Sequence, residues 1–146
     1  MIRHGMYLTG MISRIAHVCL NVKSLERSIE FYSKLGFTPR FDFTRAGKPY
    51  GIYLEIVPGQ YLEMFEDPQL NKPINTGIAH FCLESDDLEA FMQTLSLQGV
   101  PFTPCKLGCD HTLQIWLEDP DGNQFEVHQY TQTSMQIRGG SVEADW

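Results

Sequence analysis

The chain lacks the features that mark several large classes of protein. No apolar run in its 146 residues approaches the ~20 residues that a membrane-spanning helix needs. Positive charge is sparse, with 11 Lys and Arg against 18 Asp and Glu, and no basic stripe of a general nucleic-acid binder is visible. The N-terminal stretch has neither the apolar segment nor the small-residue cleavage site of a secretory signal. We therefore expect a cytoplasmic protein that binds no nucleic acid and no membrane.

Cysteine is also scarce, and without a secretory signal its four copies are not expected to form a disulfide scaffold. Cys105 and Cys109, with His111 nearby, lack the second ligand pair of a usual zinc site, so we interpret them as loop thiols. The remaining composition, 42% hydrophobic and 20% charged, is that of an ordinary globular domain.

One short stretch occurs twice in the chain. Residues 15–20 recur 63 residues later as 78–83, with a single substitution. The same offset relates several further residues, among them the glutamates in the last predicted strand of each half. Each half therefore carries one His and one Glu, 46 residues apart. The two pairs are His17 with Glu63 and His80 with Glu126.

Each half also has the pattern of one helix among four strands. Short runs of alternating apolar residues predict strands, at 14–21, 37–45, 50–57 and 60–66 in the first half and at 77–84, 101–106, 111–118 and 123–129 in the second. An apolar stripe at helical spacing follows the first strand of each half, begun by an N-cap residue (Ser24, then Asp86 or Asp87) and ended by Gly36 or Gly99. We therefore predict an α+β fold of two tandem βαβββ modules. The predicted parts are an arm at 1–13, the first module at 14–67, a linker at 68–76, the second module at 77–130 and a tail at 131–146.

Strand alternation places the His and Glu of each half on the sheet face that points away from the helix. Neutral imidazoles and carboxylates are common ligands for first-row divalent metals, and an N2O2 set leaves two positions for substrate oxygens. Such an ion can stabilise an enediolate while a carboxylate beside it acts as the base. Duplication alone would also repeat these residues, but buried Glu is rare unless it is paired or metal-bound. We therefore predict a metal site at His17, Glu63, His80 and Glu126.

Other side chains share that face. Cys19 and Cys82 follow the two His residues by two positions, and we interpret them as small residues that leave space. Soft metal ligands or redox-sensitive thiols are the alternatives. His128 also points inward; it either supports a ligand or lies at the open end of the sheet, and the second reading is favoured. Tyr53 and Trp116 are candidates for the wall of a substrate pocket or for core aromatics.

Over residues 15–129 the chain resembles the vicinal oxygen chelate superfamily, which includes glyoxalases, bleomycin-resistance proteins and extradiol dioxygenases. The matching pieces are the strand with His17, the helix 25–32 leading to 35–37, His80, and the ending 119–126. The order His, Glu, His, Glu looks like bacterial glyoxalase I, the lactoylglutathione lyase.

This resemblance implies curved sheets that form a metal-binding cleft, with His17, Glu63, His80 and Glu126 as ligands. It implies Ni or Co ahead of Zn, Mn or Fe, and the conversion of a 2-oxoaldehyde–glutathione hemithioacetal to S-lactoylglutathione. Glu126 would be the proton-shuttling base and Glu63 the second catalytic carboxylate. The family usually has Arg where Asn21 stands and Asn where Asp67 stands, so the use of glutathione stays open.

Other functions on the same scaffold remain as alternatives. One is another metal-dependent enzyme, either an epimerase or an Fe(II) extradiol dioxygenase. Another is a small-molecule-binding protein without catalysis. The superfamily also allows the four ligands to come from one chain or to be divided between the two chains of a homodimer, which is the assembly that we expect.

Overall fold

The computed structural model describes residues 15–71 and 80–140, which form two four-stranded sheets and three helices. The first module contains β1 (His17–Val22), α1 (Leu25–Lys34), β2 (Thr38–Arg45), β3 (Lys48–Val57) and β4 (Gln60–Glu66). The second contains β5 (Phe81–Glu84), α2 (Leu88–Leu97), β6 (Lys106–Leu107), β7 (Leu113–Glu118) and β8 (Gln124–Gln129), and α3 (Met135–Arg138) follows. The predicted α+β fold of two tandem βαβββ modules is confirmed.

The two sheets have the same strand order. In the first it is β1-β4-β3-β2 and in the second β5-β8-β7-β6. The first strand of each module runs parallel to the last, because the helix carries the chain back along the sheet before the antiparallel strands begin. Each sheet therefore places its first and last strands side by side, and these are the strands that carry the predicted metal ligands.

The two long helices begin with equivalent N-cap hydrogen bonds. The Ser24 Oγ accepts a hydrogen bond from the Arg27 N–H at 3.4 Å, and the Asp87 Oδ1 accepts one from the Ala90 N–H at 2.9 Å. These are the N-cap bonds that the sequence predicts. In each module the last residue of the last strand also accepts a bond from the first N–H of the helix. Both helices therefore have their ends fixed to the strand that carries the predicted glutamate.

The core lies on the helix-facing side of each sheet. Its fully buried sheet residues include Leu54, Leu62, Met64, Ile115 and Phe125. Burying an apolar side chain of this size contributes about 1.5–3 kcal/mol. With that face packed against helices, the opposite face is left for polar side chains.

The helix of the first module also packs against the second module. Tyr32 is completely buried, its ring lies 6.1 Å from that of Phe125, and its hydroxyl donates to Asp119 Oδ2 at 3.0 Å. The Lys23 N–H donates to Asp121 Oδ1 at 3.2 Å at the same junction. Because the contact is both apolar and hydrogen-bonded, the two modules share one core.

The Tyr32 hydroxyl offers a test of that junction. Tyr32→Phe is expected to lower the free energy of unfolding by about 1.5–3 kcal/mol, because the buried carboxylate of Asp119 loses a charge-assisted bond. Urea unfolding followed by circular dichroism measures the change. The exposed Tyr130 provides the control, since Tyr130→Phe should change stability by no more than about 0.5 kcal/mol. Equal effects of the two substitutions would contradict the proposed junction.

One predicted segment is wrong. The strand expected at 101–106 is reduced to Lys106–Leu107, because Pro101 and Pro104 have no N–H to donate to a ladder. Thr103 is the residue between them that still bonds to β7, through its N–H and the Trp116 carbonyl. The predicted tail contains α3, which the sequence pattern does not show.

Some predictions lie outside the described residues. These are the arm at 1–13, most of the linker, the start of the fifth strand and the last six residues of the tail. Within the described part of the chain, no helix has the length and apolar character needed to cross a membrane.

Candidate metal centre

The first His–Glu pair lies where β1 and β4 run side by side. The register places Cys19 opposite Glu63, so these two residues and His17 share the face away from the core. His17 Nε2 lies 3.5 Å from Glu63 Oε2. The Tyr53 hydroxyl, from β3, lies 3.1 Å from the other ring nitrogen of His17 and fixes the orientation of the imidazole.

The second pair repeats this geometry between β5 and β8. Cys82 is opposite Glu126, and His80 Nε2 lies 3.2 Å from Glu126 Oε2. Trp116, which stands 63 residues after Tyr53, packs its ring edge-to-face on His80 with centroids 4.8 Å apart. The structure therefore brings each predicted pair together, and an aromatic side chain from the third strand contacts each histidine.

The distances within both pairs fit two ligands of one metal ion. Donor atoms bound at right angles with bonds of roughly 2.1 Å stand roughly 3.0 Å apart. The glutamate side chains are 15% and 13% exposed, so each carboxylate is largely removed from water beside an imidazole that need not be charged. A divalent ion would supply the missing positive charge, and the donor set therefore fits the metal that the sequence predicts.

The four predicted ligands do not gather into one group within the described residues of a single chain. The group of three or more donor side chains found there is formed by Cys82, Glu126 and His128, whose donor atoms lie within 4.8 Å of one another. The His17 and His80 side chains are 40% and 37% exposed. One chain therefore presents two half-sites, each on an open sheet face. Cys105, Cys109 and His111 form no such group among the described residues, and all three lie outside the helices and strands.

The two cysteines beside the glutamates have altered acidity. Partial desolvation, a hydrogen bond with Glu63 and the charge of Glu63 raise the pKa of Cys19 to about 11. Partial desolvation and then the charge of Glu126 raise the pKa of Cys82 to about 12. Both residues are exposed overall, but their sulfurs are crowded by the neighbouring side chains. Both shifts disfavour the thiolate, so neither sulfur is a preformed nucleophile.

His128 has a larger place in the site than the sequence indicated. It is 9% exposed, and its Nε2 lies 3.2 Å from Glu126 Oε2 at an angle that makes no hydrogen bond, so this buried nitrogen has no hydrogen-bond partner. The favoured prediction, that His128 lies at the open end of the sheet, is therefore wrong. The repeat could have drawn attention to His128. The corresponding residue of the first module is Phe65, so the second module has an additional imidazole near its glutamate.

Asn21 and Asp67, the two positions that differ from the glyoxalase I pattern, lie at the ends of β1 and β4. Asn21 lies opposite Phe65 at the end of β1. The Asp67 carboxylate accepts a bond from the Gln69 N–H at 3.1 Å, and its own N–H donates to the Val22 carbonyl. Asp67 is therefore engaged in the turn that follows β4.

Comparison with known proteins agrees with this fold. Residues 14–127 match the family described as the Glyoxalase/Bleomycin resistance protein/Dioxygenase superfamily. A trivalent organoarsenical cleaving enzyme from Bacillus sp. strain MD1 is 31% identical, over 84% of this chain and 76% of that protein. A Vibrio parahaemolyticus protein named "Probable lactoylglutathione lyase" is 26% identical, over 86% and 97%.

Solved structures extend the agreement to three dimensions. A glyoxalase family protein from Enterococcus faecalis superposes with a TM-score of 0.70 at 26% identity, covering 79% of this chain and 96% of that chain. The family match covers most of the chain, and the solved structure has the same arrangement of strands and helices. The chain belongs to the Glyoxalase/Bleomycin resistance protein/Dioxygenase superfamily.

Proposed function

We propose that the protein is a metal-dependent isomerase of the glyoxalase I type. Its substrate would be the hemithioacetal of a 2-oxoaldehyde and glutathione, and its product S-lactoylglutathione. The observation that carries the proposal is the duplicated His–Glu pair, with nitrogen–oxygen distances of 3.5 and 3.2 Å in the two modules. The Vibrio relative named a lactoylglutathione lyase supports the same reaction class.

The ligands would be His17, Glu63, His80 and Glu126, and the ion Ni or Co ahead of Zn, Mn or Fe. When bound, the ion supplies Lewis-acid polarisation of the substrate oxygens. Tyr53 keeps the His17 ring in place through its second nitrogen, as the outer partners of metal-binding histidines commonly do.

Glu126 would move the proton. The reaction breaks the carbon–hydrogen bond beside sulfur and forms one on the neighbouring carbon, so one carboxylate can accept the proton and return it without any external oxidant. Glu126 is suited to this because it is largely shielded from water and contacts imidazoles on two sides, from His80 and His128. Glu63 would act as the second catalytic carboxylate from the other module.

A complete centre would form between two copies of the chain. Each chain presents two separate half-sites on open sheet faces, and a two-fold dimer would place the first half-site of one copy against the second half-site of the other. The exposed imidazoles of His17 and His80 would become buried in that interface.

The test is turnover by metal-depleted protein reloaded with single ions. Methylglyoxal and glutathione should yield S-lactoylglutathione with Ni or Co, and removal of the ion by a chelator should abolish the activity. Replacing glutathione with other thiols determines whether Asn21 and Asp67 permit the tripeptide. Failure of every ion and every thiol would reject an isomerase of this type.

A second candidate is cleavage of a trivalent organoarsenical, the activity in the printed name of the Bacillus relative. It is favoured by the free thiols of Cys19 and Cys82, which lie against the two glutamates. A thiol that releases its proton to solvent on binding becomes a soft ligand, which suits a soft, thiophilic centre. Cleavage of a trivalent organoarsenical by protein reloaded with single divalent ions, without turnover of the hemithioacetal, would favour this candidate over the isomerase.

A further inference from the structure

The two modules carry different side chains beside their glutamates on the site face. His128 follows Glu126 by two residues, whereas Phe65 stands at the corresponding position after Glu63. The first module therefore has one imidazole at its glutamate, and the second has two, with Nε2 atoms of His80 and His128 each 3.2 Å from Glu126 Oε2. The repeat makes the first module a natural reference for what the additional histidine does.

The cluster around Glu126 contains three kinds of metal-binding atom. The Cys82 sulfur, a Glu126 oxygen and a His128 nitrogen all lie within 4.8 Å of one another. Ligands of a tetrahedral Zn-sized ion stand roughly 3.3–3.6 Å apart, so small rotations of these side chains would close the site. The strand register holds Cys82 directly opposite Glu126 and holds His128 opposite Glu84, so all three donors come from two neighbouring strands.

The buried nitrogen of His128 is the independent sign of a missing ligand. The residue is 9% exposed, and its Nε2 makes no hydrogen bond, although Glu126 Oε2 lies 3.2 Å away. Buried polar atoms are almost always hydrogen-bonded, so this nitrogen points to a partner that would complete it. An ion between Nε2 and the Glu126 carboxylate would satisfy both groups at once.

We propose that the second module alone holds a thiophilic divalent cation through Cys82, Glu126 and His128. On binding, the cation forms a bond to the sulfur and the thiol proton leaves to solvent, so no electron transfer is involved. The site needs neither His17 nor Glu63 and no second copy of the chain. It does not depend on the isomerase activity, although it shares Glu126 with the centre proposed above.

The probe is Co²⁺ added to the metal-depleted full-length chain, because thiolate–cobalt bonds give a near-ultraviolet charge-transfer band that oxygen and nitrogen ligands do not give. The wild-type protein should show this band at one ion per chain. Cys82→Ser should abolish the band. His128→Phe, which installs the residue of the first module, should weaken Co²⁺ binding, measured by titration of this band, by at least about 10-fold. Circular dichroism and thermal melts would verify that both variants fold.

The repeat supplies the matched control. Cys19→Ser, at the corresponding position of the first module, should keep the band, and so should the double variant Cys105→Ser/Cys109→Ser. His17→Ala should also keep the band while losing hemithioacetal turnover, which separates this site from the proposed isomerase. The proposal is overturned if the wild-type protein shows no thiolate band, if Cys82→Ser retains it, or if the band of His128→Phe saturates at the same Co²⁺ concentration as that of the wild type.

Discussion

Glu126→Gln is expected to reduce kcat for hemithioacetal isomerisation by about 10²–10⁴-fold, the usual contribution of a general base. Glutamine has the size of glutamate and can still present one oxygen to a metal, but it cannot carry the proton between the two substrate carbons. The measurement is steady-state turnover with Ni- or Co-loaded protein, with the metal content of each sample determined beside it. A loss of kcat at unchanged metal content assigns the effect to proton transfer.

The control is Glu84→Gln, on the same face of the sheet but exposed and opposite His128 rather than against His80. It should change kcat by no more than about twofold, as expected for a surface carboxylate without a direct role. Glu63→Gln completes the series, because a greater loss there than in Glu126→Gln would place the base in the first module. Equal activity of Glu126→Gln and wild type would remove Glu126 from the chemistry altogether.

Two inactive variants are expected to restore activity to each other when they are mixed. His17→Ala and His80→Ala each damage both centres of their own homodimer. After unfolding and refolding together in equal amounts, half of the dimers should contain one copy of each, and one of the two centres in such a dimer has all four ligands. The mixture should therefore reach about a quarter of the wild-type turnover.

The result distinguishes a centre whose four ligands come from one chain from a centre whose ligands are divided between two chains. If one chain supplied all four ligands to a centre, every centre in the mixture would lack a histidine and activity would stay at the level of the separate variants. A mixture of His17→Ala and Glu63→Gln is the matched control, because both substitutions damage the same half-site and no dimer then gains a complete centre. Activity in that control mixture would contradict the division of ligands between copies.

The repeat made much of the fold predictable. The 63-residue offset identified two modules, the alternation in residues 60–66 gave β4 its observed bounds, and Ser24 capped α1 as its residue type indicated. These features are local: they depend on side-chain periodicity and on one N–H within reach. The same periodicity placed each histidine and its glutamate on one face, and the structure confirms that each pair lies within 3.5 Å.

The features that the sequence did not reveal depend on distant residues. The four-residue helix α3 has little periodicity of its own. Its start is held by the Asp110 carbonyl, which accepts from the Met135 N–H, and by Ser134, whose hydroxyl donates to the His111 carbonyl. Strand alternation could place His128 on the inner face but could not show how close its ring approaches Glu126, because that distance depends on side-chain packing rather than on periodicity.

The sequence also could not show whether the two His–Glu pairs lie close to each other. The residues of a half-site share neighbouring strands, so local rules place them together. The relation between half-sites depends on how the modules pack and on what a second copy covers. Tyr32 illustrates this: its place on the apolar stripe of α1 follows from local spacing, but its hydrogen bond to Asp119, 87 positions away, does not.

That bond has a thermodynamic consequence for both halves of the chain. Because Tyr32 of the first module is enclosed by Phe125 and Asp119 of the second, neither half can open without exposing the core of the other. The chain should then melt as one cooperative unit, as small single domains usually do. A ligand bound at one end would protect the whole chain from unfolding by mass action. A cation bound to the second module would thereby also stabilise the first module against unfolding, even in a single copy of the chain.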